Sequence, residues 1–246
     1  MKPVWQTHLA SDAPLDDEYH ATPRAEIASF FDSPPGVVVD VGCGAGATGG
    51  LLKRKFPGTR VVGIERNARA AALARAHLDD VVCADLADVR LDEHLGGRPV
   101  GALLLLDVLE HLADPWRALV AMRGWLAPAS RVIASVPNVR NLRTLEHIAS
   151  GHFDYDARGV LDVTHLRFFT RSTLRRMFEE TGYEVVAIEA LPHPAPDDLS
   201  VERGATWVRT PTLEVRCGTL ADLEDLHAFQ LVAEARLTAN ESGSRA

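Results

Sequence analysis

Between residues 37 and 136, five short apolar runs alternate with alanine-rich, helix-forming stretches, and that alternation leaves few folds open. The runs cover residues 37–41, 60–65, 80–85, 100–107 and 131–136. Helices are expected over 48–56, 68–78 and 115–126, the last opened by Asp114 as cap and Pro115 as first residue. Strands that are apolar throughout, rather than alternately, belong to a parallel sheet covered on both faces. Right-handed crossovers then favour a doubly wound α/β architecture.

The flanks read differently. An amphipathic stretch over 19–31 predicts an extra helix, so residues 1–36 form an N-terminal helical segment ahead of a core over 37–191. Within that core, 138–148 has helical character and 151–167 has no sustained period, which predicts a covering insertion over about 138–169. A capped helix follows over 170–180 and a strand over 183–191. Residues 192–246 read as an extension: a loop over 192–200, an ambiguous stretch over 207–220, a strand over 229–237 and a frayed tail from 240. The 229–237 stretch is assigned as strand because the 183–191 strand otherwise lacks an antiparallel partner.

A net charge of −8 argues against a surface that coats nucleic acid or an anionic membrane. No run is long enough to cross a bilayer, and no signal peptide precedes the acids at Asp12, Asp16, Asp17 and Glu18. Cys43, Cys83 and Cys217 form neither a disulfide framework nor a metal-ligand pattern. The cytoplasm is the expected location.

Asp40, Glu65, Asp85 and Asp107 each fall at or near the end of an expected strand, spaced by 25, 20 and 22 residues. One βα unit has about that length, so the four acids recur at one edge of the sheet, where doubly wound folds hold ligands. Singly, each is more simply a cap or turn residue. In register, they suit a polar ligand rich in hydroxyls and amines. Asp40 opens Asp40-Val41-Gly42-Cys43-Gly44-Ala45-Gly46, a turn a ligand can approach closely. Gly44-Ala45-Gly46-Ala47-Thr48-Gly49 also satisfies the dinucleotide pattern, with Glu65 about where a ribose acid belongs. A carboxylate at Asp40 is misplaced for a pyrophosphate, however, and Asp85 lies where an adenine amino group would fall. An ammonium, a ribose and an adenine, in that order, match S-adenosylmethionine.

With these residues in view the chain resembles the class I S-adenosylmethionine-dependent methyltransferases. Residues Val37 to Gly46 are similar to the family's first motif and Val62-Gly63-Ile64-Glu65 to its second. Cys83-Ala84-Asp85-Leu86 resembles the third, and Leu106-Asp107-Val108-Leu109-Glu110-His111-Leu112 the fourth. Val136-Pro137-Asn138 and the stretch Asp162 to Thr170 extend the likeness toward ubiquinone-type O-methyltransferases and methyltransferases of saccharide and natural-product pathways. The resemblance implies a seven-stranded, mainly parallel, Rossmann-like sheet with an antiparallel last strand. It places Gly42, Cys43, Gly44 and Gly46 against the methionine part, with Asp40 assisting the amino group. Glu65 then binds the ribose hydroxyls, Asp85 and the Leu86 backbone the adenine, and Arg66 flanks it. Asp107 and Val108 line the cofactor near its methyl, and Tyr19 and Arg24 reach its carboxylate, although both suit a helix surface equally well.

A hydroxyl acceptor gains from a base. His111, beyond the fourth strand, and His165, in the covering segment, are the candidates, each also explicable as a residue that pins its own loop. Asn138, Tyr155 and His165 are candidates for acceptor binding, with Asn138 equally able simply to hold its turn. His147, His152 and His165 with Asp154, Asp156 and Asp162 match no recognised metal-ligand spacing, so no metal is expected. The expected partner is a small-molecule acceptor, with a homodimer left open and neither nucleic acid nor membrane. The competing readings are a nicotinamide-dependent oxidoreductase and a non-catalytic methyltransferase-like subunit.

Overall fold

Every residue of strand β1 (Val37–Val41) is buried, as a strand covered on both faces must be. The computed structural model, which describes residues 22–192 and 207–238, continues with β2 (Arg60–Ile64), β3 (Asp80–Val82), β4 (Val100–Leu106) and β5 (Leu126–Pro137). Next come β6 (Tyr183–Pro192), a hairpin of β7 (Trp207–Arg209) and β8 (Glu214–Arg216), and β9 (Ala228–Leu237). Seven of these form one sheet in the order β3-β2-β1-β4-β5-β9-β6. The first five are parallel, and β9 runs antiparallel to both β5 and β6. The expected doubly wound sheet is therefore present, and its antiparallel strand is the last in chain order.

The period of two along each strand sorts the core into two layers. Val37, Val39, Val41, Leu103 and Leu105 face Met122 of α4 (Pro115–Met122) and Leu174 and Phe178 of α6 (Arg171–Glu180). Val38, Val61, Ala102, Leu104 and Ile133 face the other way. They meet Leu52 of α1 (Ala47–Lys55), Ala71 and Ala74 of α2 (Ala68–Ala74), and Ile27 and Phe30 of a 3-10 helix over Ala25–Phe30. A third apolar cluster joins α5 (Leu142–Ala149), the β7–β8 hairpin and α7 (Leu220–His227) through Leu142, Val208, Leu223 and Leu226. Among the described residues no helix is long and apolar enough to cross a membrane.

At Gly101 the register of β4 skips a residue against both β1 and β5. The Pro35 carbonyl oxygen lies 1.7 Å from where a side-chain carbon would stand. Only glycine admits that approach. Gly101→Ala is expected to destabilise the protein by about 3 kcal/mol, measurable by urea unfolding, because backbone rather than a flexible side chain has to move. An unchanged midpoint would mean that the Pro35 turn yields freely.

Local chemistry sets the helix ends. Asn67 caps α2 by accepting from the N–H groups of Arg69 and Ala70 at 3.0 and 3.1 Å, and Asp114 accepts from Arg117 N–H at 2.9 Å. Three expectations shift. The N-terminal helix is a 3-10 segment limited to Ala25–Phe30, with residues 19–21 outside the described part. Helix α2 stops at Ala74 instead of reaching 78, because Leu78 turns inward against Gly46, Gly49 and Gly63. The ambiguous 207–220 stretch is mostly the β7–β8 hairpin, and α7 after it was not anticipated, although Thr219 and Asp222 form a reciprocal capping box. A further short helix, α3, spans Asp92–Leu95.

Candidate functional site

The glycine turn after β1 is built around positive backbone angles. Gly42, Gly44 and Gly46 have φ of 68°, 54° and 81°. A side chain at Gly42 would also meet Val108 Cγ2 at 2.9 Å, so the turn and the loop after β4 are packed to the limit of contact. Cys43 is buried beneath the turn, its sulfur facing Gly63. No side chain caps the start of α1, where Gly46 stands in the left-handed region.

The four acids lie at the carboxyl edge of successive strands, in four different states. Asp40 is 2 % exposed, and its Oδ2 has no hydrogen-bond partner. Burial, reinforced by the neighbouring Glu65 charge, pushes its pKa up to about 7. Glu65, just beyond β2, closes the turn: its two oxygens accept from Gly44 N–H at 3.0 Å and Asn67 N–H at 2.7 Å. Each of those oxygens retains a further lone pair. Asp85 is exposed and accepts from Ala87 N–H at 3.1 Å, capping a short 3-10 turn that begins at the half-buried Leu86. Arg66 is exposed beside Glu65.

Asp107 is the one non-glycine residue with positive φ, 56°, among the described residues. That left-handed conformation is costly and persists only where surrounding groups enforce it. Its carboxylate accepts from Arg24 Nη1 at 2.5 Å, Gln230 Nε2 at 2.6 Å and Ser135 Oγ at 3.3 Å. Burial raises its pKa, with Arg24 opposing. Arg24 also meets Gln230 Oε1 at 2.6 Å and Glu26 at 2.5 Å. The structure thus engages the Arg24 guanidinium with Asp107, Gln230 and Glu26, while the Arg24 backbone N–H donates to Thr48 Oγ1 in the first turn of α1 at 3.1 Å. Tyr19 lies outside the described residues.

Beside Asp107, the 3-10 turn Leu109–His111 brings two further groups to the edge. His111 and His165 meet edge to face, with ring centroids 4.8 Å apart. His111 Nδ1 lies 3.3 Å from the Thr164 carbonyl, and His165 Nδ1 lies 3.0 Å from that of Val160. Burial, then the proximity of the His165 ring, lowers the His111 pKa. Glu110 is 1 % exposed, and neither carboxylate oxygen has a partner. Burial and the nearby Asp107 hold its pKa well above the usual carboxylate range.

The acceptor candidates separate. Asn138 is fully buried: it donates to the carbonyls of Asp225 and Ala228 at 2.6 and 3.0 Å and accepts from Arg140 N–H at 3.0 Å. It fastens β5 to the α7–β9 junction, which corrects the expectation that it contacts an acceptor. Tyr155 is 48 % exposed, in an edge-to-face chain with Phe153 and Phe168. His147 of α5 and His152 of the loop after it flank Asp154 at 3.4 and 3.6 Å, apart from His165. Glu110, Ser135 and Gln230 were not singled out from sequence. Glu110 stood inside a quoted motif, whereas Gln230, 123 residues beyond Asp107, carried no local signal.

A family model described as "Methyltransferase domain" matches residues 15–188. The ubiquinone biosynthesis O-methyltransferase of Aeromonas salmonicida is 28 % identical over 164 residues, covering 65 % of this chain and 67 % of that protein. The same-named protein of Dinoroseobacter shibae is 27 % identical over 161 residues, covering 61 % and 60 %. The chain therefore spans about three fifths to two thirds of these relatives. Among solved structures, a SAM-dependent methyltransferase from Archaeoglobus fulgidus superposes with a TM-score of 0.59 at 19 % identity, covering 89 % of this chain and 93 % of that one.

Proposed function

The chain belongs to the S-adenosylmethionine-dependent methyltransferases, and from that premise we propose that it methylates a hydroxyl group of a small-molecule acceptor. S-adenosylmethionine is its methyl donor. The residues fit that group: a glycine turn with no room for side chains at Gly42 and Gly46, and behind it the unpartnered Oδ2 of Asp40. When bound, the cofactor supplies a sulfonium-activated methyl group, open to direct displacement.

The chain's own residues then divide the work. Asp40 receives the cofactor's ammonium, and Glu65 uses its remaining lone pairs for the ribose hydroxyls. Asp85 and the Leu86 backbone take the adenine, flanked by Arg66. Asp107 and Val108 form the wall beside the methyl, with Asp107 fixed by Arg24 and Gln230. His111 and His165 handle the acceptor's hydroxyl, and the exposed Phe153 and Tyr155 with the half-buried Phe168 offer it an aromatic wall. Catalysis on this reading is chiefly orientation, with nucleophile, methyl and sulfur in line.

The observation that carries the proposal is the convergence of the turn, Glu65, Asp107 and the histidine pair on one sheet edge. The distant likeness to ubiquinone O-methyltransferases supports oxygen as the accepting atom. Neither a nicotinamide oxidoreductase nor a non-catalytic subunit is favoured. Calorimetric titration with S-adenosylhomocysteine, with NADH as control, tests the cofactor: heat with the first and none with the second is expected. Incubation with labelled S-adenosylmethionine and a panel of phenols, sugars, amines and carboxylic acids tests the acceptor. Transfer to nitrogen or carbon but never to hydroxyls would overturn the proposal.

A further inference from the structure

Glu110 stands beside His111 and His165 in a group whose carboxylate the methyl-transfer reading leaves without a role. One carboxylate oxygen and one ring nitrogen from each histidine lie within 4.8 Å of one another. Two segments more than fifty residues apart in sequence build the group. They are locked together where Leu166 and Arg167 N–H both donate to the Glu110 carbonyl, at 2.8 and 3.1 Å.

Each member is prepared in the same way. A carbonyl oxygen can only accept, so Nδ1 of His165 carries its proton toward Val160 O, and Nδ1 of His111 carries its own toward Thr164 O. Both rings are thereby fixed as tautomers with a free lone pair on Nε2. A histidine that donates its other nitrogen to a carbonyl is the usual setting of a metal ligand. The Thr164 hydroxyl lies 3.2 Å from His111 Nδ1 and itself donates to Asp162 at 2.6 Å, adding a carboxylate to the shell behind the ring. Glu110 supplies the independent observation. A carboxylate 1 % exposed, with both oxygens lacking a hydrogen-bond partner, is expensive to bury unless a cation meets it.

We propose that Glu110, His111 and His165 bind one divalent cation of the zinc type at the edge of β4, beside Asp107. Two imidazoles and a carboxylate suit zinc, cobalt or iron(II) better than magnesium or calcium, which prefer all-oxygen sets. Around a tetrahedral ion such atoms stand about 3.3 Å apart, so the three side chains draw together on binding it. Three protein ligands leave a fourth position for the acceptor. Its role toward the acceptor, though not its binding, rests on the methyl-transfer reading above. There, the cation polarises a coordinated hydroxyl, whose proton leaves to water. An oxygen lone pair forms the new O–C bond, and the C–S electron pair stays on sulfur, so the sulfonium becomes a neutral thioether.

The full-length protein, stripped with chelator and dialysed, is titrated with Zn²⁺ by calorimetry and with Co²⁺ by visible absorption. S-adenosylhomocysteine affinity is measured on the same samples. One ion per chain is expected, with Co²⁺ giving the intense bands of a four-coordinate site. Glu110→Gln and His165→Ala, each checked by circular dichroism, are each expected to weaken Zn²⁺ binding at least 100-fold. His147→Ala, which removes a member of the exposed His147–Asp154–His152 group, is expected to leave it unchanged. Binding that follows His147, or persists at full strength in His165→Ala, overturns the proposal; so does absence of binding in the wild type. If S-adenosylhomocysteine still binds in that last case, only the cation is lost. If it fails to bind while Zn²⁺ binds normally, the cofactor assignment falls instead.

Discussion

Replacing Asp40 by asparagine is expected to stabilise the cofactor-free protein at pH 8 while weakening S-adenosylhomocysteine binding about 100-fold. An ordinary aspartate titrates near 3.9, whereas burial and the Glu65 charge bring Asp40 up to about 7. Below about pH 4 the group is protonated folded or unfolded and contributes nothing. Between about 4 and 7 the unfolded chain has released a proton that the folded chain retains, so stability falls as pH rises. Above 7 the full penalty is present, about 4 kcal/mol from the shift. Asparagine carries no such charge but buries an amide with imperfect partners, which leaves a net gain of about 2 kcal/mol at pH 8. Thermal unfolding reads this as a rise of about 4–8 °C at pH 8 that shrinks to nothing near about pH 5.5 and turns into a comparable fall near about pH 4, where only the cost of the amide remains. The loss of affinity follows from removing the carboxylate that the ammonium would neutralise. By the same linkage, wild-type affinity is expected to decline below pH 7. A variant with no added stability, or with undiminished affinity, would show that Asp40 is neither strained nor placed for the ligand.

The second large effect belongs to Arg24. Arg24→Ala is expected to cost about 3 kcal/mol, or about 6–12 °C in melting temperature, because it strands the desolvated carboxylate of Asp107. Gln230 and Ser135 still donate to that carboxylate, but neither carries a charge. Adding Asp107→Asn to the Arg24 variant should recover part of the loss, since the stranded charge is then gone. A double-mutant cycle therefore returns a coupling of at least about 1 kcal/mol. Simple additivity would show that the two residues act independently and that the left-handed backbone at Asp107 is enforced by something else.

How far the sequence reveals such features depends on whether their cause is local. The edge on which Asp40, Glu65, Asp85 and Asp107 stand was legible, because one βα unit has a characteristic length and the strands are apolar throughout. The caps at Asp114 and Thr170 were legible for a similar reason, each acting within three residues. What each acid does was not legible. Asp107 is defined by Arg24 and Gln230, which lie 83 and 123 residues away. Likewise, Asn138 looked free in sequence because the carbonyls it bonds arrive from the α7–β9 junction. The early end of α2 is a tertiary effect too, since three glycines leave a space that Leu78 fills. The assignment of β9 as a strand succeeded through a global requirement, the need of β6 for a neighbour, where local pattern alone was indifferent.

The position of β9 has a consequence for biosynthesis. As the ribosome delivers the chain, β1 to β5 can zip up in turn, yet β6 emerges with nothing to pair against. The slot beside β5 stays open until some forty further residues have been made. Meanwhile the nascent protein presents two unpaired strand margins, an invitation to aberrant association that holdase chaperones serve to prevent. Gln230 rides on that final strand, so the clamp on Asp107 closes only as the gap is filled, and a half-finished chain carries an incomplete site.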